Sequence, residues 1–162
     1  MNLYLHLSIH LFLSLLAGFV AWRMWKCPAV SFLSGITGGF LIDLDHFIDY
    51  FLAFGTHFRF DYFIVGYQFL KSDKLYIFFH AWEYGILLVG LVFVVKNRIL
   101  KSIFLGVALG LFFHLATDVV VDEVPPATYS ITQRIQNDFD IEKLVPDHWE
   151  EHKQMKKEVN FE

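Results

Sequence analysis

Four apolar segments dominate the first 121 residues of this 162-residue chain. They cover residues 3–22, 29–54, 75–95 and 102–121. Each has about 20 residues or more, which is the length that an α-helix needs to cross the hydrocarbon core of a bilayer. The chain is 56% hydrophobic, which is too apolar for an ordinary soluble domain. The pattern predicts an all-α fold, with a four-helix transmembrane bundle over residues 1–121 and a polar, partly helical C-terminal tail over residues 122–162.

Charge and cysteine content argue against a nucleic-acid-binding protein and against a fold held by internal disulfides. The net charge of −4 gives no reason to expect a nucleic-acid partner. A single cysteine, Cys27, excludes an internal disulfide framework. The lipid bilayer is therefore the partner that the composition predicts, and the spacings Gly35-x-x-x-Gly39 and Gly106-x-x-x-Gly110 would allow close helix contact within it.

Acidic side chains lie inside these apolar segments, whereas basic ones do not. All eight Lys and Arg residues of the first 121 positions fall between the segments. Five acids lie within them: Asp43, Asp45, Asp49, Glu83 and Asp118. An ionised group near the centre of a bilayer costs roughly 2.5–3.5 kcal/mol on insertion scales. Since no lysine or arginine is available in the segments, bound cations or bound protons must neutralise these acids.

Histidines accompany the acids at helical spacing. The pairs, three or four residues apart, are His6 and His10, Asp43 and His46, Asp45 and Asp49, His80 and Glu83, and His114 and Asp118. Members of each pair are expected to share one helix face. In an up-down-up-down bundle, nearly all of them fall at the same end, roughly 5–17 Å inside one face of the membrane.

This convergence predicts a metal centre. Histidine and carboxylate ligands without cysteine suit Zn, Mn or Fe(II). The ligand set is larger than one tetrahedral ion needs, so we expect two divalent ions, with Zn favoured. The expected ligands are His10, Asp43, Asp45, His46, His80, Glu83, His114 and Asp118.

Other polar residues receive different interpretations. Glu83 and Asp49 are the expected catalytic residues, because either could take a proton from a reacting water. Asp49 could instead orient a histidine or cap a helix. His6 is interpreted as an interfacial residue, and His57 as a loop residue. His148 and His152 are expected on a solvated face, because Glu and Lys flank them.

At these residues the chain resembles a family of bacterial inner-membrane proteins classed as metal-dependent hydrolases, of the LexA-regulated type. The resemblance rests on His10, on Asp43-Leu44-Asp45-His46, on His80 and on His114-Leu-Ala-Thr-Asp118. The last motif is also similar to the ligand spacing of zinc-dependent phospholipases C. The chain departs from the family after His80, where "HAWEYG" lacks the family's arginine and second histidine, and Glu83 is expected to replace that ligand.

The expected function is hydrolysis of an ester or phosphoester by a metal-activated water, on a lipid-like or other amphiphilic substrate. The resemblance implies the bacterial inner membrane. Loops 23–28 and 96–101 hold five Lys and Arg residues, against three in residues 55–74 and about one near the start of the tail, and this small excess favours the outer face for the site. Two alternatives stay open. One is a membrane di-iron oxidoreductase of the desaturase or hydroxylase type, and the other is a non-enzymatic protein that handles ions or protons.

Overall fold

The computed structural model describes residues 3–159 and 161, and within them the chain is helical and has no β-strand. The all-α fold class predicted from the sequence is confirmed. The α-helices are α1 (Leu3–Trp25), α2 (Pro28–Gly39), α3 (His46–Phe54), α4 (Phe60–Val65), α5 (Tyr67–Ser72), α6 (Trp82–Val94), α7 (Arg98–Val121), α8 (Ile131–Gln136), α9 (Ile141–Leu144) and α10 (Trp149–Glu158). Short 3-10 helices cover Leu41–Asp45, Pro126–Tyr129 and Pro146–His148.

Helix α7 lies at the centre of a core of four helices. It packs against α1, α2 and α6, and α1 also packs against α2. Tyr4–Trp25 of α1 and Arg98–Val121 of α7 are long and apolar enough to cross a membrane. Helices α2 and α6 have 12 and 13 residues. At 1.5 Å per residue they fall short of a hydrocarbon core about 30 Å thick. Among the described helices, therefore, two rather than four have the length of a membrane span.

The second predicted helix is broken in the middle. Helix α2 ends at Gly39, a 3-10 helix follows over Leu41–Asp45, and α3 begins at His46. Two consecutive glycines, Gly38 and Gly39, precede the break. Each disfavours helix by about 1 kcal/mol relative to alanine. The break leaves the Gly39 carbonyl without a helical partner further along the chain, so that it can accept a hydrogen bond from another helix.

The third predicted helix starts seven residues late. Residues 73–81, here called the His80 loop, are not helical, and α6 begins at Trp82. The Asp49 carboxylate accepts hydrogen bonds from the backbone N–H groups of Tyr76 and Ile77, which a helix would otherwise use. The prediction that His80 and Glu83 share a helix face is therefore wrong, because His80 precedes the helix.

Small residues let α1, α2 and α7 approach until their backbones touch. A Cβ atom placed on Gly110 of α7 would lie 2.6 Å from the Gly35 carbonyl oxygen of α2. Near the other end of the same contact, the Ser31 and Ser102 hydroxyl oxygens are 2.6 Å apart. Both predicted glycine pairs take part in these contacts. Packing of this kind suits helices in lipid, where dispersion and polar contacts replace the hydrophobic effect.

Replacing Gly110 with alanine is expected to destabilise the protein by about 1–3 kcal/mol, since the new methyl group would meet backbone atoms that cannot move aside. Thermal unfolding in detergent would measure the effect. Gly90→Ala in α6 is the matched control, because nothing lies within 4 Å of a Cβ there. An equal melting temperature for both variants would contradict the close packing of α2 and α7.

Candidate metal centre

Four ligand groups from three separate parts of the chain meet at one end of the helical core. The Nε2 atoms of His80 and His114 lie 3.0 Å apart. Asp43 Oδ1 lies 3.4 Å from His80 Nε2 and 3.2 Å from His114 Nε2. Asp118 Oδ2 lies 3.0 Å from His114 Nε2. Two imidazoles and two carboxylates therefore converge, as they would around a divalent ion.

A second group adjoins the first through Asp118. The Nε2 atoms of His6 and His10 are 2.8 Å apart. The other Asp118 oxygen, Oδ1, lies 3.1 Å from His10 Nε2 and 3.8 Å from His6 Nε2. One carboxylate thus lies between two sets of imidazoles, with a different oxygen directed at each set. If both sets of side chains held a metal ion, Asp118 could contribute one oxygen to each.

Hydrogen bonds at the Nδ1 atoms of His80 and His114 determine which nitrogen of each ring carries the hydrogen. His114 Nδ1 lies 3.0 Å from the Gly39 carbonyl oxygen, which can only accept, so this nitrogen carries the hydrogen. His80 Nδ1 lies 3.0 Å from Asp45 Oδ2 and is likewise the donor. In the neutral rings both Nε2 atoms then present lone pairs to each other. Only a cation or added protons can make this arrangement favourable.

The buried Asp118 provides a further test of whether a metal fits. Its Oδ1 atom has no hydrogen-bond donor among the described residues, although His10 Nε2 is close by. Asp118 is 5% exposed and its Oδ1 atom is enclosed, so water has little access to this oxygen. An unsatisfied buried carboxylate oxygen beside imidazole nitrogens is costly alone and is satisfied by a bound cation. The residues present therefore fit a metal ion.

Asp45 and His46 occupy neighbouring but different positions. Asp45 is fully buried and both of its oxygens are engaged, Oδ1 with His46 Nδ1 at 3.0 Å and Oδ2 with His80 Nδ1 and the Phe79 N–H. It was predicted to be a metal ligand, and the structure instead gives it contacts that orient two histidines. His46 lies with Asp43 and His80 in a third group whose ligand atoms are within 4.8 Å of one another.

The two predicted catalytic acids have other partners. Asp49 is 3% exposed, and its oxygens accept from Tyr76 N at 2.9 Å and Ile77 N at 3.0 Å. Its carboxylate fixes the His80 loop, which leaves little capacity for accepting a proton from a water.

Glu83, predicted both as a ligand and as a catalytic residue, belongs to none of the ligand groups among the described residues. Its carboxylate accepts a short hydrogen bond from the Ser130 hydroxyl and others from the N–H groups of Ile131 and Thr132. It therefore caps the first turn of α8, where a negative charge is favourable. The geometry gives no support to a metal-binding role for this residue.

Sequence reasoning placed His6 outside the ligand set and overlooked Arg134 altogether. The spacing of His6 and His10, four residues apart, was the available signal for His6, and its Nε2 atom does reach the cluster. Arg134 lies in the predicted polar tail, yet it is 0% exposed and hydrogen-bonds to the His80 loop. No spacing pattern pointed to it, because its partners are more than 50 residues away.

A cavity of about 370 Å³ adjoins the cluster. Part of its wall comes from His6, Asp43, His80 and Asp118, and part from apolar side chains, including Leu75, Ile77, Ile141 and Val145. His148, Glu151 and His152 of the C-terminal segment complete it. No lysine or arginine of the described residues lines this cavity. It is therefore mixed in polarity, acidic, and partly enclosed by residues that follow α7.

Asp73 ties α10 to the His80 loop. Its carboxylate pairs with Lys156 and with His152 Nε2, the latter at 2.9 Å. The prediction that His152 lies on a solvated face is wrong, since only 7% of it is exposed. Burial tends to raise the pKa of Asp73, but hydrogen bonds from Lys156 and His152 outweigh it and lower that pKa.

Comparison of the chain with protein-family models, with curated proteins and with solved structures finds no match. The functional argument therefore depends on the geometry of the cluster and on the chemistry of its side chains.

Asp73→Asn is expected to loosen α10, because the substitution removes the charge that pairs with Lys156. Since the pKa of Asp73 is lowered in the folded protein, its contribution is complete above the unfolded value of about 3.9. That contribution is lost only as pH falls further, through the folded pKa. Limited trypsin digestion at neutral pH should cut α10 at Lys153, Lys156 or Lys157 several-fold faster in the variant.

Asp61→Asn is the matched control, because Asp61 pairs with Arg59 on the exposed surface and does not contact α10. Identical digestion of the Asp73 and Asp61 variants would show that the contact does not hold α10 in place.

Proposed function

We propose that this chain is an integral membrane protein that binds two divalent metal ions and hydrolyses an ester or phosphoester. The observation that carries the proposal is the convergence of imidazole Nε2 atoms on the oxygens of Asp43 and Asp118, with the Nε2 lone pairs of neutral His80 and His114 facing each other. Two apolar helices of membrane-spanning length support the location. The shorter α2 and α6 complete a four-helix core, which we place in the bacterial inner membrane with the cluster toward its outer face.

The proposed ligand sets follow the two groups. Asp43, His80, His114 and Asp118 Oδ2 would hold one ion, with His46 close enough to join. His6, His10 and Asp118 Oδ1 would hold the other. Imidazole and carboxylate ligands without thiolate favour Zn, and Mn also suits them.

A pair of such ions lowers the pKa of a water and stabilises charge on the oxygens of an ester or phosphoester. Other residues of the chain orient the histidine rings. Gly39 O fixes the ring of His114, and Asp45 fixes the rings of His46 and His80. With Asp49 and Glu83 engaged elsewhere, Asp122 is the carboxylate that we propose as proton acceptor. It lines the cavity, and among the described residues its one hydrogen bond from a side chain comes from the Tyr129 hydroxyl at 3.3 Å.

The proposed substrate is an amphiphile. The cavity combines the polar cluster with apolar side chains and adjoins helices that we place in lipid. An acidic cavity without lysine or arginine leaves any phosphate group dependent on the metal ions for its charge balance.

A di-iron oxidoreductase is the second candidate, because the position of Asp118 between two sets of ligands also suits a carboxylate-bridged pair of iron ions. Iron in the purified protein together with substrate-dependent oxygen consumption would favour it over hydrolysis.

Purified protein in detergent is expected to contain about two Zn or Mn ions per chain, as measured by inductively coupled plasma mass spectrometry. The double variant Asp43→Asn/His114→Ala should lose the metal, because it removes two ligands from one group. His57→Ala, a loop histidine, is the control and should retain it. Absence of metal from folded protein supplied with Zn and Mn would refute the metal centre.

Asp45→Asn is expected to keep the ions but to weaken their binding by about 10–100-fold, because it disturbs the orientation of two histidines without removing a ligand. Asp43→Asn should weaken binding more. Competition with a chromophoric chelator would measure both dissociation constants. The reverse order would mean that Asp45, rather than Asp43, contacts the metal.

A further inference from the structure

The His80 loop contains a strained residue three positions before His80. Ile77 has φ of +26°, outside the regions that a β-branched residue normally occupies. Such a conformation persists only where the surrounding structure determines it. The contacts around Ile77 therefore show what the fold uses to hold this loop.

Carboxylates hold the loop from one side through its N–H groups. Asp49 accepts from Ile77 N at 3.0 Å, and Asp45 accepts from Phe79 N at 2.7 Å. These acids lie in or next to α3, so this side of the loop is fixed by the same stretch of chain that carries Asp43 and His46. Because these carboxylates accept and do not donate, the carbonyl groups of the loop need other donors.

Arg134 holds the loop from the other side through its carbonyl groups. Its Nη1 donates to the Ile77 carbonyl and its Nη2 to the His80 carbonyl, each at 2.8 Å. The side chain is fully buried. One guanidinium thus spans the turn from the strained residue to the histidine, and its planar fork fixes the separation of the two carbonyls.

Arg134 is itself anchored from two directions. Glu83 caps α8, the helix that carries Arg134, and so fixes that helix to α6. Beyond α8, Phe139 N donates to the Arg134 carbonyl at 2.7 Å, and Leu75 N donates to the Phe139 carbonyl at 2.8 Å. The C-terminal segment is thus bonded to both ends of the His80 loop.

We infer that Arg134 is a positioning residue of the metal centre, which fixes the backbone of the His80 loop so that the imidazole of His80 faces that of His114. Arg134 does not contact the ligand atoms and acts through His80. The inference rests on the proposed metal centre, and it makes the segment after α7 a part of that centre.

Cobalt binding to the full-length protein in detergent tests this role. Arg134→Gln is expected to weaken Co²⁺ binding by about tenfold or more, as loss of an orienting partner does. It should also change the visible absorption of the Co²⁺ protein in the same direction as His80→Ala. Arg134→Lys keeps the charge and a donating group on a long side chain but loses the planar fork, so it should fall between Arg134→Gln and the unchanged protein. Lys143→Gln, on the exposed face of α9, is the control and should bind normally.

A double-variant cycle distinguishes positioning from a general loss of stability. If Arg134 acts through His80, Arg134→Gln causes no further loss of Co²⁺ affinity once His80 is alanine. Equal losses in both backgrounds would overturn the inference. So would unchanged binding and an unchanged spectrum in Arg134→Gln.

Hydrogen–deuterium exchange of the metal-free protein separates this inference from the proposed function. Amides of residues 74–81 should exchange faster in Arg134→Gln than in Lys143→Gln, because the loop loses its carbonyl partner. If the unchanged protein binds no metal, the proposed function fails, and faster exchange would still show that Arg134 positions His80. Equal exchange in the two variants would overturn the positioning role.

Discussion

The close approach of α2 to α7 is the contact on which the rest of the site depends. It needs glycine on both helices, because any side chain at Gly110 would meet the backbone of α2. It places the broken end of α2 beside His114, so that a carbonyl freed by the break accepts a hydrogen bond from the ring. One packing contact thus determines both how two helices fit together and which nitrogen of His114 faces the cluster. Small residues are common in helix contacts within lipid, and here they also fix the orientation of the His114 ring.

The cluster carries an electrostatic cost that bound cations or bound protons would offset. Two carboxylates and four imidazoles converge in a region where His10, His80 and His114 are almost fully buried. The carboxylates of Asp45 and Asp49 do not carry this cost, because each accepts hydrogen bonds from backbone N–H groups of the His80 loop. The contrast divides the buried acids into two kinds. Asp45 and Asp49 hold the His80 loop in place, whereas the oxygens of Asp43 and Asp118 lie against imidazole nitrogens of the cluster.

Sequence reasoning identified the convergence because helical spacing and apolar segment length are local properties. His10, Asp43, His80, His114 and Asp118 could all be assigned to one end of a bundle without knowledge of any tertiary contact. The helix breaks could not be assigned in this way. The segment over residues 75–81 is apolar and would suit a helix. Its N–H groups instead donate hydrogen bonds to the carboxylates of Asp45 and Asp49, 27–34 residues earlier in the chain. The contacts of Glu83 could not be predicted for the same reason, since its hydrogen-bond partners lie 47–49 residues later in the chain.

The order of the ligand groups along the chain has a consequence for biosynthesis. The first histidines are in α1, the last carboxylate ends α7, and the arginine that braces the His80 loop comes later still. Synthesis must therefore pass Arg134 before all of these contacts can form. His6 and His10 are synthesised before any of their acidic partners, and Asp43 and Asp118 follow in separate segments. A product that ended before Arg134 would therefore contain the histidines and acids of the cluster without the side chain that fixes the His80 loop.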